Sequence, residues 1–182
     1  TRIIKTIENG GGLSKYLLHR ALKIGGDKYE GRLKPWDMPM DGILGLTLRK
    51  KIRQKVGGRV KAWVSGGAPL NPEVGIFFQS LGITFLQGYG QTEAGPLISC
   101  NRPRAGIKLD TVGPPAMNTE VRIAEDGEIM VRGENVMHGY WDNEEETKRV
   151  LLPADDGQGP WLATGDVGHL DAAGRIVITS RG

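Results

Sequence analysis

The chain of 182 residues carries 24 Lys and Arg against 21 Asp and Glu, with 28 glycines and one cysteine, Cys100. That length suits one domain or two small ones with a real core, and a lone cysteine excludes an internal disulfide framework and fits a small buried hydrophobe. No apolar run approaches the roughly 18 residues of a membrane span and no secretory signal opens the chain, so the reading is cytoplasmic.

Net charge is +3 but unevenly placed: residues 1–62 hold 15 Lys/Arg against 5 Asp/Glu, and residues 63–182 hold 9 against 16. The simplest account is the solvated face of amphipathic helices. The alternative is peripheral contact between residues 1–62 and an anionic membrane; nucleic acid, which a basic module can also grip, is not expected.

In chain order, Ile3, Ile4 and Ile7, then Leu13, Leu17, Leu18, Ala21 and Leu22, stand at helical spacing on either side of Gly10-Gly11-Gly12. They predict two helices, the second ended by Gly25-Gly26. Pro35 and Trp36 fall in a connector. Another helix is predicted over about 43–56, with Arg49, Lys50, Lys51, Arg53 and Lys55 on and around its exposed side and Gly57-Gly58 stopping it. A strand at 60–64, a helix opened by Asn71-Pro72 and closed at Gly82, and a strand at 83–87 make a βαβ unit, hence parallel strands with a right-handed crossover. Open parallel sheets take ligands beyond the carboxyl ends of their strands. Here both ends run into glycine-rich loops, Ser65-Gly66-Gly67 and Gly88-Tyr89-Gly90, which should lie close together.

After about residue 105 the pattern changes to short segments divided by turns. Strands at 119–123 and 128–131 flank Asp126-Gly127, a short acidic helix follows at 143–151, and strands at 165–170 and 175–179 flank Asp171-Ala172-Ala173-Gly174. Glu144-Glu145-Glu146 suits the positive end of a helix better than paired acid catalysis. His19, His138 and His169 have no partners at metal spacing. The fold class is therefore α/β: a parallel βαβ portion over 1–105, then a small antiparallel, distorted barrel-like subdomain over 106–182.

The run Gly88-Tyr89-Gly90-Gln91-Thr92-Glu93-Ala94-Gly95-Pro96 puts an aromatic, a hydroxyl and a carboxylate on thin backbone. On chemistry alone it reads equally as a glycine-rich turn with a helix cap or as a nucleotide loop, with Tyr89 to stack on a base, Thr92 to donate to phosphate and Glu93 to hold a hard cation. Taken with Ser65-Gly66-Gly67-Ala68-Pro69 and Thr164-Gly165-Asp166, it resembles the AMP-forming adenylate superfamily, in particular acyl-CoA synthetases of the long-chain fatty acid type.

The resemblance covers nearly the whole chain, including Gly127 to Gly133 and Met137-His138-Gly139-Tyr140-Trp141, where Gly139 to Trp141 reads as core packing. It implies an adenine slot from Gly66, Gly67, Ala68, Gln87, Gly88, Tyr89 and Gly90, with Tyr89 stacked on the ring. It also implies Thr92 on the α-phosphate, Glu93 on Mg²⁺, and Asp166 with Arg181 on the ribose. ATP (leaving as AMP), coenzyme A and a fatty acid are the implied ligands, and the ligase activity is expected of a larger protein. The family's upstream phosphate loop and its mobile C-terminal domain with a catalytic lysine are not among these residues. The chain then reads as an internal piece, inactive by itself. The competing readings are an adenylate former acting on an aryl or amino acid, and a basic surface-binding module.

Overall fold

The computed structural model describes residues 11–68 and 70–181, the side chain of Arg181 excepted. The helix predicted from Ile3, Ile4 and Ile7 lies outside the described residues. The chain divides into two compact units, Thr1–Trp63 with Leu70–Phe85 and Val64–Pro69 with Leu86–Gly182.

In the first unit, helix α1 (Gly12–Tyr29) buries Leu18, Ala21 and Ile24. It runs straight through Gly25-Gly26, where the sequence predicts its end. Gly25 is a packing residue: a Cβ there would stand 2.3 Å from Ser80 Cβ, so another helix crosses at this point. The helix stops only before Gly31, at φ +68°.

A 3-10 turn (Pro35–Asp37) leads into α2 (Met38–Leu44), a π turn (Gly45–Arg49) and α3 (Lys50–Lys55). Leu44, Leu48 and Ile52, four residues apart, form its buried stripe against α1. Lys50, Lys51, Arg53 and Lys55 are exposed as expected, whereas Arg49 turns inward. Its guanidinium meets Asp41 and donates through Nε to the Ser80 carbonyl at 2.8 Å.

Asp41 also accepts from Lys28 at 2.8 Å. Burial by itself would raise the Asp41 carboxyl, but the hydrogen bonds and charges of Lys28 and Arg49 outweigh it and hold the group below its ordinary value. A carboxyl depressed on folding stabilises above its unfolded value and loses that contribution as it protonates. Acid titration should therefore weaken this unit progressively below about pH 4. Asp41→Asn should be less stable at pH 7 but show a flatter acid limb; parallel limbs in the two proteins would refute the assignment.

Strand β1 (Trp63–Ser65), helix α4 (Pro72–Ser80) and strand β2 (Phe85–Tyr89) form the βαβ unit; β1 starts three residues and ends one residue later than predicted, and β2 lies two residues later at both ends. Asn71 caps α4 by accepting from Glu73 N at 2.9 Å. Strand β3 (Ser99–Cys100) pairs antiparallel to β2, giving a mixed sheet in the order β1-β2-β3.

The second sheet comprises β4 (Thr119–Ile123), β5 (Glu128–Gly133), β6 (Leu151–Leu152), β7 (Trp161–Leu170) and β8 (Ile176–Arg181), with α5 (Glu144–Val150) between β5 and β6. All its pairs are antiparallel, in the order β4-β5-β7-β6 with β8 also on β7. Both predicted hairpins form. Asp126 accepts from Glu128 N at 3.0 Å in one turn, and Asp171 accepts from Ala173 N and Arg175 N, each at 2.9 Å, in the other. Asn143 caps α5 by accepting from Glu146 N at 3.1 Å, with the acidic triplet in its first turn. The core beneath joins Ala94, Ile98, Ile129, Val131, Leu162 and Ile176. Among the described residues no helix is long and apolar enough to cross a membrane.

Candidate functional site

All five residues of β2 are buried. The chain then folds back: a Cβ on Gly90 would fall 1.7 Å from the Pro96 carbonyl oxygen, so only glycine fits. Ile98 N donates to the Tyr89 carbonyl at 2.9 Å and closes the loop. Within it, the 3-10 turn Thr92–Ala94 leaves Thr92 exposed and Glu93 half-buried.

The loop is clamped from a segment about forty residues later in sequence. Asn135 Nδ2 donates to the Ala94 and Leu97 carbonyls, both at 3.0 Å, and Met137 N donates to the Glu93 carbonyl at 2.8 Å. The Tyr140 hydroxyl donates to Glu93 Oε1 at 2.8 Å. That bond, with some burial, raises the Tyr140 phenol above its ordinary value and keeps it a donor at neutral pH. A cavity of about 320 Å³ opens here, lined in part by Gln91, Glu93, Tyr140, Arg149, Thr164 and Gly165. Its size falls at the lower end for small-molecule sites.

The third motif arrives on β7. Thr164 Oγ1 donates to the Ile129 carbonyl at 2.8 Å and Gly165 N donates to Glu128 Oε1 at 2.7 Å, which fixes the bend before Asp166. Asp166, 5 % exposed, accepts from the Tyr89 hydroxyl at 2.7 Å. Arg181 stands opposite Asp166 in the β7–β8 register, and its side chain lies outside the described residues.

At the other edge of the loop, a Cβ on Gly66 would lie 3.3 Å from the Gly88 carbonyl oxygen, so the two glycine-rich segments do adjoin. Gly66, Gly67 and Ala68 are exposed, whereas Gln87 and Gly88 are buried. Gln87 Oε1 has no hydrogen-bond partner among the described residues, a buried acceptor left open in the middle of β2.

Tyr89 is 8 % exposed and packs with Ala94 and Ile98, and its hydroxyl fixes Asp166. One expectation changes. The Gly139-Tyr140-Trp141 run is not core packing: Trp141 is 98 % exposed, and Tyr140 reaches Glu93. The chain turns sharply here, with Asp142 at φ +50°, and this separates the fates of two adjacent aromatics.

Three positioning residues escape sequence reasoning. Asn135 and Tyr140 act on the loop from the connection between β5 and α5. Fully buried Asn101 donates through Nδ2 to the Thr111, Lys108 and Gln87 carbonyls at 2.8, 3.2 and 3.5 Å and accepts from Lys108 N at 3.0 Å. An asparagine beside Cys100 and Arg102 carries no signal of such a junction.

A family model described as AMP-binding enzyme matches residues 30–141. A long-chain-fatty-acid–CoA ligase of Mycobacterium tuberculosis is 42% identical over 134 residues, covering 72% of this chain and 21% of the relative. A feruloyl-CoA synthase of an Amycolatopsis species is 35% identical over 133 residues, covering 67% and 26%. Among solved structures, a long-chain-fatty-acid-CoA ligase from Archaeoglobus fulgidus superposes with a TM-score of 0.58 at 28% identity, over 67% of this chain and 28% of that one. The chain thus spans between 19% and 28% of the length of these and similar curated relatives.

Proposed function

The chain belongs to the AMP-binding enzyme family, and from that footing we propose that it is the nucleotide-facing part of a larger ATP-dependent ligase that activates a long-chain fatty acid and passes the acyl group to coenzyme A. The observation that carries this reading is the 2.7 Å bond from Tyr89 to Asp166, which puts the glycine-rich loop and the Thr-Gly-Asp bend at one place across 77 residues of sequence.

Each ligand group then has a counterpart of suitable chemistry. The open acceptor Gln87 Oε1 suits the exocyclic amine of adenine. Gly66, Gly67, Ala68, Gly88 and Gly90 give thin walls that a flat base can approach. The Asp166 carboxylate, already oriented by Tyr89, suits the vicinal hydroxyls of ribose, with Arg181 as its neighbour in register. Exposed Thr92 offers a hydroxyl to the α-phosphate. Glu93 is the carboxylate for Mg²⁺, which when bound neutralises phosphate charge.

In the reaction the fatty acid carboxylate oxygen forms a bond to the α-phosphorus as the bond to pyrophosphate breaks. The acyl adenylate then yields its acyl group to the CoA thiol, releasing AMP. These residues contribute orientation and electrostatics, the main terms in phosphoryl chemistry. A phosphate loop and a mobile lysine domain would come from the rest of the protein.

The test is pyrophosphate release by the full-length protein across a panel of fatty, aryl and amino acids. Long-chain fatty acids should be preferred. The likeness to a feruloyl-CoA synthase makes aryl acids the second reading, and preference for them, or for amino acids, would refute the fatty acid assignment. The 182 residues alone should form no acyl-CoA in the same assay, and detectable product would refute that part.

A further inference from the structure

Glu93 is held by main chain and side chain alike. Met137 N fixes its carbonyl, and the Tyr140 hydroxyl takes Oε1 at 2.8 Å. No hydrogen bond to Oε2 is recorded among the described residues. Tyr140 is itself anchored. Its backbone N donates to Thr147 Oγ1 at 2.8 Å, and that hydroxyl donates to the Asn143 carbonyl at 2.8 Å. A Cβ on the preceding Gly139 would lie 2.8 Å from Thr147 Cγ2, so this close docking on α5 needs a bare backbone. The phenol therefore stands at the end of a relay from a capped helix to one oxygen of one carboxylate.

We propose that Tyr140 is a positioning residue: by holding Glu93 Oε1 it fixes the carboxylate plane and leaves Oε2 as the oxygen offered to a divalent cation. This rests on the reading of Glu93 as the cation ligand. Untethered, a glutamate would have to be ordered when the cation arrives, and the entropy lost would count against binding. Outer hydrogen-bond partners of metal ligands typically contribute 10–100-fold to metal affinity. The tyrosine also limits Glu93 to one available oxygen, which suits a small cation that keeps several waters and takes few protein ligands.

The experiment uses the full-length protein with the non-hydrolysable ATP analogue AMPCPP, reading Mn²⁺ binding by electron paramagnetic resonance and analogue binding in EDTA by calorimetry. Tyr140→Phe keeps the ring and should weaken Mn²⁺ binding about tenfold while leaving metal-free analogue affinity unchanged. Glu93→Gln should weaken Mn²⁺ at least as much. Wild-type Mn²⁺ affinity in Tyr140→Phe, with Glu93→Gln impaired, would overturn the positioning role and leave the Glu93 reading standing. Wild-type Mn²⁺ affinity in both would overturn both. Loss of metal-free analogue binding in Tyr140→Phe would also overturn the proposal, because it would mean that Tyr140 shapes the pocket as a whole.

Discussion

Asp166→Ala in the full-length protein is expected to weaken ATP and AMP binding by about a hundredfold or more. Two charge-assisted hydrogen bonds to the ribose would be lost, each contributing about 1.5–3 kcal/mol, and each 1.4 kcal/mol is a factor of ten. The variant also strips the buried Tyr89 hydroxyl of the acceptor it holds at 2.7 Å. Tyr89→Phe separates the two effects. It keeps the ring in the core and removes only the group that orients Asp166, so affinity should fall several-fold rather than a hundredfold. Thr92→Ala, on an exposed hydroxyl, should weaken nucleotide binding without changing stability beyond about 0.5 kcal/mol. Calorimetric titration with AMP decides the matter: affinities within twofold of wild type for both Asp166→Ala and Thr92→Ala would remove the site assignment.

The second large effect concerns stability. Asn101→Ala should destabilise the chain by about 3 kcal/mol, lowering its thermal midpoint by roughly 6 to 12 °C. The side chain is fully buried and ties residues 87, 108 and 111 to one amide. Truncation leaves Lys108 N and the Thr111 carbonyl short of partners and opens a void as well. The Gln87 carbonyl keeps its bond from Asn101 N at 2.8 Å, so the strand end should persist while its surroundings loosen. A midpoint within 2 °C of wild type, followed by circular dichroism, would show that water or local rearrangement replaces the amide.

What could be read from sequence was local. Asn71-Pro72, Asn143 with its acidic followers, Asp126-Gly127 and Asp171 to Gly174 each act within a few residues, and each sits where its chemistry predicts. The two glycine-rich strand ends were legible for the same reason. The failures share a different cause. Gly25-Gly26 has the composition of a helix stop, but Ser80, 55 residues later, makes Gly25 a crossing point. Arg49 lies in a basic run yet turns inward, because Asp41 and the Ser80 carbonyl meet it there. Tyr140 and Trp141 are neighbours of one chemical kind, yet Tyr140 reaches Glu93, 47 residues earlier, while Trp141 is exposed. Partners outside the local pattern decide all three.

The separation of Tyr89 from Asp166 also sets an order of events during synthesis. At about 5–20 residues per second, Tyr89 emerges roughly 4 to 15 seconds before the carboxylate that accepts its hydrogen bond. Throughout that interval β2 already has β1 behind it and soon β3 to pair with, and only the acceptor of the Tyr89 hydroxyl is still untranslated. The hairpin of β7 with β8 therefore orders the glycine-rich loop as well as its own sheet, and a chain halted before residue 166 would present that loop with the Tyr89 hydroxyl lacking its carboxylate.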